Sequence, residues 1–287
     1  MPDSNEPGNI DRYAVFGNPV EHSQSPLIHT LFAKQTSQSL TYTAELIEPG
    51  QFSTAVKDFA SHHGKGLNIT VPFKQEAWQL ASKRSERAQR AGAVNTLKID
   101  DGVYYGDNTD GIGLVRDLVE NHRIKLNQRR VLIVGAGGAV RGVIEPILEQ
   151  NPAEIVIANR TVEKAIQLAH DFSEFEISSG TISGCGLDDP MLNATTFDIV
   201  INGTSASLHD ELPPLPTTLF SENACAYDMM YSAKPTPFMQ WSSENGAKHV
   251  FDGLGMLVEQ AAESFRIWRG LQPETKKVIE LIRASLK

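Results

Sequence analysis

A run of four apolar residues at 131–134 leads directly into four small residues at 135–138, and apolar residues at helical spacing resume over 140–148. A strand that stops in glycines and begins a helix exposes backbone N–H groups at the positive end of the helix dipole, where a phosphate group binds. Because such a turn belongs to a strand–helix–strand unit, it predicts an α/β fold with a Rossmann-type, doubly wound parallel sheet. Further strand-like runs lie at 155–158, 198–201 and 224–228.

The glycine turn departs from the dinucleotide-binding fingerprint at one position. Gly135 and Gly137 occupy the first two fingerprint positions, whereas the third, where Gly or Ala lets helix and strand pack closely, is Val140. The alternative is a glycine-rich turn that binds no ligand. The surrounding strand, helix and second strand favour nucleotide binding over that alternative.

The residues after the second strand of this unit indicate which dinucleotide binds. An acid at that point would accept a hydrogen bond from a ribose 2′-hydroxyl, but the chain has Asn159, Arg160 and Thr161 there, with Lys164 one helical turn further. Guanidinium and ammonium groups attract a 2′-phosphate, so the sequence predicts NADP rather than NAD. Thr161 as a helix N-cap and Arg160 as a solvated loop residue are the structural alternatives, and both are compatible with phosphate binding.

The region before the glycine turn also alternates strand and helix. Strand-like runs at 13–17, 41–47 and 67–71 are separated by helical patterns at 26–35 and around 52–59. Two further runs, 94–99 and 103–105, flank an Asp-Asp-Gly sequence and predict an antiparallel hairpin. A helix over 110–121 and two C-terminal helices, the last beginning at Pro273, complete the pattern.

Length and composition predict two domains and exclude several classes of protein. For 287 residues we expect a disordered leader at 1–9, a substrate-binding catalytic domain at 10–109 with the C-terminal helices at about 255–287, and a Rossmann domain at 110–254. A net charge of -9 offers no bulk attraction to nucleic acid or membranes. The two cysteines show neither disulfide nor zinc spacing, so no metal is predicted, and a cytoplasmic location is expected.

Polar clusters stand at the predicted strand ends of the first region, where α/β enzymes place their chemistry. Together with motifs of the second region they resemble the motifs of the shikimate dehydrogenase family, in order and spacing. These motifs are HSQSP (22–26), NITVPFK (68–74), GAVNT (92–96), GDNTDG (106–111), GAGGAVR (135–141), ANRT (158–161), YDMMY (227–231) and DGLGMLVEQA (252–261).

The resemblance implies reduction of 3-dehydroshikimate to shikimate with NADPH, at an active site in the interdomain cleft. It assigns the proton donor to Lys74 and its acidic partner to Asp110, and a positioned amine is able to polarise a carbonyl and transfer a proton. Without the resemblance, a surface lysine and a helix-capping acid would be the simpler interpretation, because exposed Lys and Asp are the rule.

The resemblance also implies the substrate contacts. Ser23 and Ser25 would bind the carboxylate with help from Tyr231, although Ser25 just before a proline is also a typical helix N-cap. The ring hydroxyls would be bound by side chains that both donate and accept hydrogen bonds, and Asn68 is a weaker candidate for this role. The alternative for Gln260 is that it is an ordinary polar residue flanking the apolar stripe of its helix. The proposed hydroxyl ligands are Thr70, Asn95, Asp110 and Gln260.

The implied cofactor contacts fall in three groups. They are Gly135, Ala136, Gly137, Gly138 and Ala139 for the pyrophosphate, Asn159, Arg160, Thr161 and Lys164 for the adenosine phosphate, and Met229 and Gly253 beside the nicotinamide. Core packing is the alternative for Met229. Two departures from the family are visible: 202–205 is Asn-Gly-Thr-Ser instead of Asn-Ala-Thr-Ser, and Lys164 replaces a common arginine.

Two other functions compete with this interpretation. One is a quinate/shikimate dehydrogenase that tolerates NAD, which typically carries an acid where Asn159-Arg160-Thr161 stands. The other is a nucleotide-binding regulator without catalysis, against which the presence of Lys74 and Asp110 argues. The expected partners are small molecules only, and the expected assembly is a monomer or a homodimer.

Overall fold

The computed structural model describes residues 10–173, 180–204, 206 and 211–286. It divides into two units: the first comprises the described residues up to Asn108 together with Ala261–Glu274, and the second comprises Thr109–Gln260 and the described residues from Thr275 onward. The leader expected at 1–9 lies outside the described residues. The bounds differ from the expected 10–109, 110–254 and 255–287, and the division of substrate and cofactor binding between the units stays a prediction.

The first unit is built around a six-stranded sheet. Its strands are β1 (Asp11–Gly17), β2 (Leu40–Leu46), β3 (Gly64–Ile69), β4 (Lys83–Arg84), β5 (Thr96–Asp100) and β6 (Val103–Asp107), and its helices are α1 (Ser25–Gln35), α2 (Phe52–Ser61), α3 (Lys74–Leu80) and α4 (Glu86–Ala91). The strand order is β2-β1-β3-β5-β6-β4. Phe16, Leu67 and Leu97 from the central strands are almost fully buried and form the core with Phe52 and Phe73.

The direction of the strands changes in the middle of this sheet. β1 runs parallel to β2 and β3, whereas β5 is antiparallel to both β3 and β6. The turn between β5 and β6 has positive φ at Asp101 (43°) and Gly102 (78°), as a two-residue hairpin turn requires. The predicted hairpin is thereby confirmed. The edge strand next to β6 is β4, a two-residue strand that is too short to be predicted from the sequence.

The second unit contains a six-stranded parallel sheet and most of the remaining helices. Its strands are β7 (Arg130–Val134), β8 (Glu154–Asn159), β9 (Thr181–Gly186), β10 (Phe197–Asn202), β11 (Phe220–Asp228) and β12 (His249–Asp252). Its helices are α5 (Asp110–Arg116), α6 (Gly138–Leu148), α7 (Val162–Asp171), α8 (Met191–Ala194), α9 (Pro237–Glu244) and α11 (Lys276–Ser285). Helix α10 (Leu254–Arg269) contributes residues to both units.

The parallel sheet confirms the predicted doubly wound fold. Its order is β12-β11-β10-β7-β8-β9, and all neighbouring strands are parallel. Counted from β7 as the first strand, this is the 3-2-1-4-5-6 order of dinucleotide-binding domains. The sequence did not predict β9 and β12 because neither is an apolar run: β9 reads TISGCG and β12 reads HVFD.

Two helix bounds differ from the prediction. The helix expected over 110–121 is α-helical only to Arg116, and a π-helical turn, Asp117–Asn121, follows. Within that turn the Asn121 amide donates to the buried Asp117 carboxylate over 2.9 Å. The last helix begins at Lys276 instead of Pro273. Glu274, two positions before it, has its backbone bonded to Gln35, whose side chain accepts from the Glu274 N–H at 2.8 Å and donates to the Glu274 carbonyl at 3.2 Å.

In the described part of the chain, no helix is both long and apolar enough to cross a membrane.

The two unusual residues of the Rossmann unit, Val140 and Gly203, lie against each other. Val140 is fully buried in α6, and a Cβ atom on Gly203 would lie only 2.4 Å from its Cγ2 and 3.1 Å from the Met229 sulfur. Contacts that short force neighbouring atoms to move. Gly203, which follows β10 and has no side chain, therefore leaves room for Val140, the large residue at the third fingerprint position.

We predict that Gly203→Ala lowers the free energy of unfolding by about 1–3 kcal/mol, because it overpacks this contact. In a Val140→Ala background the cost of adding the same methyl group should largely disappear. Urea denaturation of the wild type, the two single variants and the double variant measures the cost of the methyl group in each background. Gly137→Ala is the matched control, since a Cβ atom there meets nothing within 4 Å. Equal costs of Gly203→Ala in both backgrounds would contradict the explanation.

Candidate active site

One edge of the first unit's sheet collects the ends of several strands. The parallel strands β1 and β3 end there at Gly17 and Ile69. The antiparallel strand β5 begins there, with Thr96 opposite Asn68 of β3, and β6 ends there at Asp107 opposite Thr96. The polar residues that follow or precede these ends therefore lie along the same edge.

The HSQSP segment follows β1 and leads into α1. Ser25 is the first helical residue and is buried, whereas the N-cap position belongs to Gln24, whose side chain makes no capping bond. The alternative role of Ser25 as an N-cap is therefore wrong. The backbone N–H of Ser25 donates to Ser23 Oγ over 3.3 Å.

Thr70 and Lys74 follow β3, four residues apart. The Thr70 N–H donates to the Phe16 carbonyl at 3.0 Å, and a Cβ atom on Gly17 would lie 2.3 Å from Thr70 Cγ2, so only glycine fits beside this threonine. Lys74 is half-buried at the first position of α3, and its carbonyl accepts from the Val94 N–H at 2.9 Å. That bond brings the Lys74 backbone next to the residues that precede β5.

Asn95 and Asn68 belong to a buried polar network. Asn95 is 3% exposed and Asn68 is 5% exposed. The Asn68 side chain accepts from the Tyr42 hydroxyl at 2.7 Å and also contacts the His29 ring at 3.2 Å. Burial lowers the pKa of His29 to about 3, so the ring is neutral at physiological pH.

Asp107 fixes the end of β6, three residues before Asp110. It is 3% exposed and accepts two hydrogen bonds from Arg87, at 2.7 and 3.0 Å, and one from the Ser85 hydroxyl at 2.6 Å. Arg87 also donates to the buried Glu263 carboxylate at 3.3 Å. A bidentate, partly buried pair of this kind holds the strand end in one position.

Asp110 and Gln260 lie together in the second unit. Asp110 is 6% exposed at the first position of α5, and the preceding Thr109 hydroxyl donates to Gln260 Oε1 over 3.2 Å. A Cβ atom on Gly113 would lie 2.7 Å from Gln260 Cβ, so the glycine lets α5 approach α10 closely. Gln260 is thus more than a polar residue flanking an apolar stripe: it contacts the start of the helix that carries Asp110.

The glycine turn fits a pyrophosphate. Gly135 has φ of 113°, in the region that favours glycine, and its N–H donates to the Ala158 carbonyl at 2.8 Å. Gly137 is the N-cap of α6 and makes no side-chain capping bond, and Cβ atoms on Gly137 and Gly138 would meet nothing within 4 Å. The two glycines at the start of this 11-residue helix therefore have open space on their Cβ side, close to the N–H groups that would bind a phosphate.

The side chains expected at the adenosine phosphate surround the end of β8. Asn159 is the last residue of that strand, and its amide donates to the Thr161 carbonyl at 2.9 Å. Thr161 is the N-cap of α7, as the structural alternative expected, but its side chain makes no capping bond. Arg160, Thr161 and Lys164 are all exposed, so their polar groups are accessible to a ligand.

Met229 and Gly253 lie at the ends of neighbouring strands β11 and β12. A Cβ atom on Gly253 would lie 2.2 Å from the Met229 carbonyl oxygen, so this close approach requires glycine. Met229 is 8% exposed and its N–H donates to the Asn202 carbonyl at 2.9 Å. Tyr231 is half-buried, and burial together with the Asp252 charge raises the pKa of its hydroxyl.

A separate cavity of about 840 Å³ lies within the second unit, and none of the predicted site residues lines it. His122, stacked on Phe251 at 3.6 Å, forms part of its wall, together with Lys234 and Arg283. Cavity size alone therefore does not locate the site indicated by the sequence motifs.

Several residues that contact the predicted site residues carry no recognisable signal in the sequence. His29, Tyr42, Arg87, Glu263 and Ser264 contact the predicted residues or their neighbours through the hydrogen bonds of the first unit. His29, Tyr42 and Ser264 stand inside apolar-patterned elements, where no motif distinguishes them. Arg87 and Glu263 lie 176 positions apart in the chain, so only the fold reveals their ion pair.

Comparisons with known proteins agree on one family. Residues 15–97 match the model of the shikimate dehydrogenase substrate binding domain, residues 117–209 that of shikimate/quinate 5-dehydrogenase, and residues 253–283 that of the shikimate 5′-dehydrogenase C-terminal domain. A shikimate dehydrogenase (NADP(+)) from Cellvibrio japonicus is 54% identical over 279 residues, which cover 96% of this chain and 98% of the relative.

Solved structures give the same result. An Ael1 enzyme from Pseudomonas putida is 48% identical, with a TM-score of 0.89 and coverage of 96% of this chain and 100% of that chain. A shikimate 5-dehydrogenase from Thermus thermophilus, solved in complex with NADP(H) and shikimate, is 31% identical, with a TM-score of 0.84 and the same coverage of both chains.

The neutral, buried His29 predicts a pH dependence of stability. Because its pKa is lowered on folding, unfolding takes up a proton below the unfolded value of 6.5, and stability falls as the pH decreases from there toward 3. Urea denaturation at pH 7 and pH 5 should show a loss for the wild type roughly 2 kcal/mol larger than for His29→Gln. His62→Gln, at an exposed histidine, is the control and should behave like the wild type. Equal losses of unfolding free energy in the wild type and in His29→Gln would contradict a buried, neutral His29 ring.

Proposed function

This chain belongs to the shikimate dehydrogenase family, and we propose on that basis that it interconverts 3-dehydroshikimate and shikimate with NADP(H). The observation that carries the proposal is the collection of Ser23, Ser25, Thr70, Lys74 and Asn95 at one edge of the first unit's sheet. These side chains offer a cation and several hydrogen-bond donors, which suit a hydroxylated ring with a carboxylate.

The competing functions are not favoured. The curated relatives are shikimate dehydrogenases named for NADP(+), and β8 ends in Asn159 with Arg160 behind it instead of an acid. Those features argue against a quinate/shikimate dehydrogenase that tolerates NAD. Lys74 and Asp110 are both present, which argues against a regulator without catalysis.

NADP fits the second unit, and when bound it supplies the hydride that is added to, or removed from, the reacting carbon. The open turn formed by Gly135, Ala136, Gly137, Gly138 and Ala139 would hold the pyrophosphate. Arg160, Thr161 and Lys164, with Asn159, would hold the 2′-phosphate through charge-assisted hydrogen bonds. Met229 and Gly253 would lie beside the nicotinamide.

Lys74 is the proposed proton donor. In the reducing direction the carbonyl carbon gains a hydride, and the carbonyl oxygen gains the proton that the Lys74 ammonium gives up. In the oxidising direction the neutral amine accepts the proton from the substrate hydroxyl. Asp110, nearly buried at the start of α5, is the proposed acidic partner in this transfer.

The remaining polar residues bind the substrate. Ser23 and Ser25, with Tyr231, would donate to the carboxylate, since hydroxyl groups are good donors to an anion. Thr70, Asn95, Asp110 and Gln260 would bind the ring hydroxyls. A cytoplasmic location and a monomeric or homodimeric assembly stay predictions.

We predict that Lys74→Ala lowers kcat by roughly 10²- to 10⁴-fold, the usual contribution of a positioned acid or base, and leaves the Kd for NADPH nearly unchanged. Steady-state kinetics with 3-dehydroshikimate and fluorescence titration of NADPH measure the two quantities. Lys65→Ala, at an exposed lysine of β3, is the matched control and should keep the wild-type kcat. A wild-type kcat in Lys74→Ala would remove the lysine from proton transfer.

We predict that Arg160→Ala raises KM for NADPH about 10-fold or more, because a charge-assisted bond to the 2′-phosphate is lost, and barely changes KM for NADH. The increase should shrink at high salt, since screening weakens exposed charge pairs. Arg129→Ala, at an exposed arginine of the same unit, is the control. Equal effects on the two cofactors would contradict the phosphate assignment.

The assay that distinguishes the three functions is NADP reduction with shikimate, repeated with quinate and with NAD. Turnover confined to shikimate and NADP supports the proposal, whereas comparable turnover with quinate and NAD supports the broader enzyme. NADPH binding without any turnover of 3-dehydroshikimate would support the regulator.

A further inference from the structure

A buried carboxylate stands directly before the residues proposed to flank the nicotinamide. Asp228 is the last residue of β11 and is fully buried. The loop that follows it, residues 229–236, begins with Met229 and leads into α9. Residues 232–235 in the middle of this loop are all exposed, so packing does little to hold them in place. The position of the loop therefore depends on its hydrogen bonds.

Asp228 binds both ends of the 229–236 loop. At its start, the Met230 N–H donates to Asp228 Oδ1 at 3.0 Å. At its end, the Thr236 hydroxyl donates to Asp228 Oδ2 at 2.6 Å. The same Thr236 oxygen accepts from the Met239 N–H at 3.2 Å and so caps α9. One carboxylate thus joins the two ends of the loop and, through Thr236, the helix that follows.

Asp228 is also linked to the glycine turn. Asn202 Nδ2 donates to Asp228 Oδ1 at 3.2 Å. On the other side of this amide, Asn202 Oδ1 accepts from the Thr204 N–H at 3.1 Å and from the Thr204 hydroxyl at 2.7 Å. Thr204 lies against the turn, since a Cβ atom on Gly135 would be 3.3 Å from Thr204 Cγ2. A chain of hydrogen bonds therefore runs from the pyrophosphate side of the proposed cofactor site to the nicotinamide side.

These contacts require a group that only accepts hydrogen bonds. A backbone N–H, an amide NH2 and a hydroxyl all donate to Asp228, which matches a carboxylate. An asparagine of the same shape would keep one oxygen for Asn202 and Met230 but would turn an NH2 group toward Thr236. The Thr236 proton would then lose its acceptor. Since a buried donor without an acceptor is costly, that end of the loop would be held less firmly.

We propose that Asp228 is a positioning residue: by closing the 229–236 loop and tying it to the glycine turn, it sets where the nicotinamide half of the cofactor lies relative to the pyrophosphate. The inference rests on the proposed function, which places Met229 beside the nicotinamide. It adds that the two halves of the cofactor are held separately, because the proposed adenosine ligands Arg160 and Lys164 lie after β8 and not in this loop. Loss of the Asp228 carboxylate should therefore misplace the ring while the adenosine half stays bound.

Asp228→Asn tests this role in the full-length protein with two probes, NADPH and adenosine 2′,5′-bisphosphate, which carries the adenosine half alone. We expect Kd for NADPH to rise about 10-fold, as loss of one hydrogen bond to a charged group does, and Kd for the bisphosphate to stay within about 2-fold of the wild type. The kcat for shikimate oxidation should fall about 10-fold or more, because a displaced ring transfers hydride slowly. Isothermal titration calorimetry and steady-state kinetics measure these quantities. Equal increases in both dissociation constants, or no increase in either, would overturn the proposal.

Thr236 provides a second test that remains available if Asp228→Asn fails to fold. Thr236→Val keeps the shape and removes the hydroxyl, and we expect it to raise Kd for NADPH about 3- to 10-fold. Thr236→Ser keeps the hydroxyl and should stay within about 2-fold of the wild type. Thr218→Val is the matched control, at an exposed threonine of the same unit whose hydroxyl donates to the Asn193 carbonyl. Wild-type NADPH binding in Thr236→Val, or a larger loss in Thr236→Ser, would overturn the proposal.

The binding measurements do not depend on turnover, which separates failure of this inference from failure of the proposed function. If the wild type oxidises shikimate with NADP but Asp228→Asn binds NADPH equally well, the positioning role alone is wrong. If the wild type binds NADPH but oxidises no shikimate, the proposed function is wrong, and the two dissociation constants still decide whether Asp228 positions the ring. Failure of the wild type to bind NADPH would overturn both.

Discussion

The antiparallel pairing of β3 with β5 is the constraint on which the site of the first unit depends. In an all-parallel sheet the residue before β5 would lie at the opposite edge from the residues after β3. The reversal places Asn68 opposite Thr96, so that Asn95 stands at the same edge as Thr70 and Lys74. One change of strand direction therefore brings together residues from two separate motifs, and the adjacent β6 brings Asp107 of a third motif to that edge as well.

The second unit differs, because all strands of its sheet are parallel and the residues proposed to bind the cofactor lie at their carboxyl ends. Close backbone approaches occur there: Gly135 against Gly203, and Gly253 against the Met229 carbonyl. At these points the absence of a side chain lets two backbone segments approach each other closely. The proposed ligands of the first unit are polar side chains, whereas those proposed for the second unit are mainly exposed backbone and a few cations.

Much of the fold and of the candidate site could be predicted from the sequence because the decisive sequence signals were local. The strand, glycine turn and helix at 131–148 fit within one window, and so did the hairpin with its Asp101-Gly102 turn. β9 and β12 were missed because they are the edge strands of the sheet, are mostly not buried and therefore lack an apolar run. The buried polar network around Asn68 was not predictable either, since Tyr42, Asn68, Thr96 and Ser264 are joined across 26 to 196 positions by a fold that only the structure shows.

The contact between Val140 and Gly203 has a consequence for how sequences of this kind diverge. Position 203 has room for a methyl group only after position 140 has become smaller, whereas position 140 can shrink at any time at the cost of a small cavity. The two changes are thus accessible in one order and obstructed in the other. Descendants of this chain that carry alanine after β10 are therefore expected to carry a shorter side chain at the start of α6 as well.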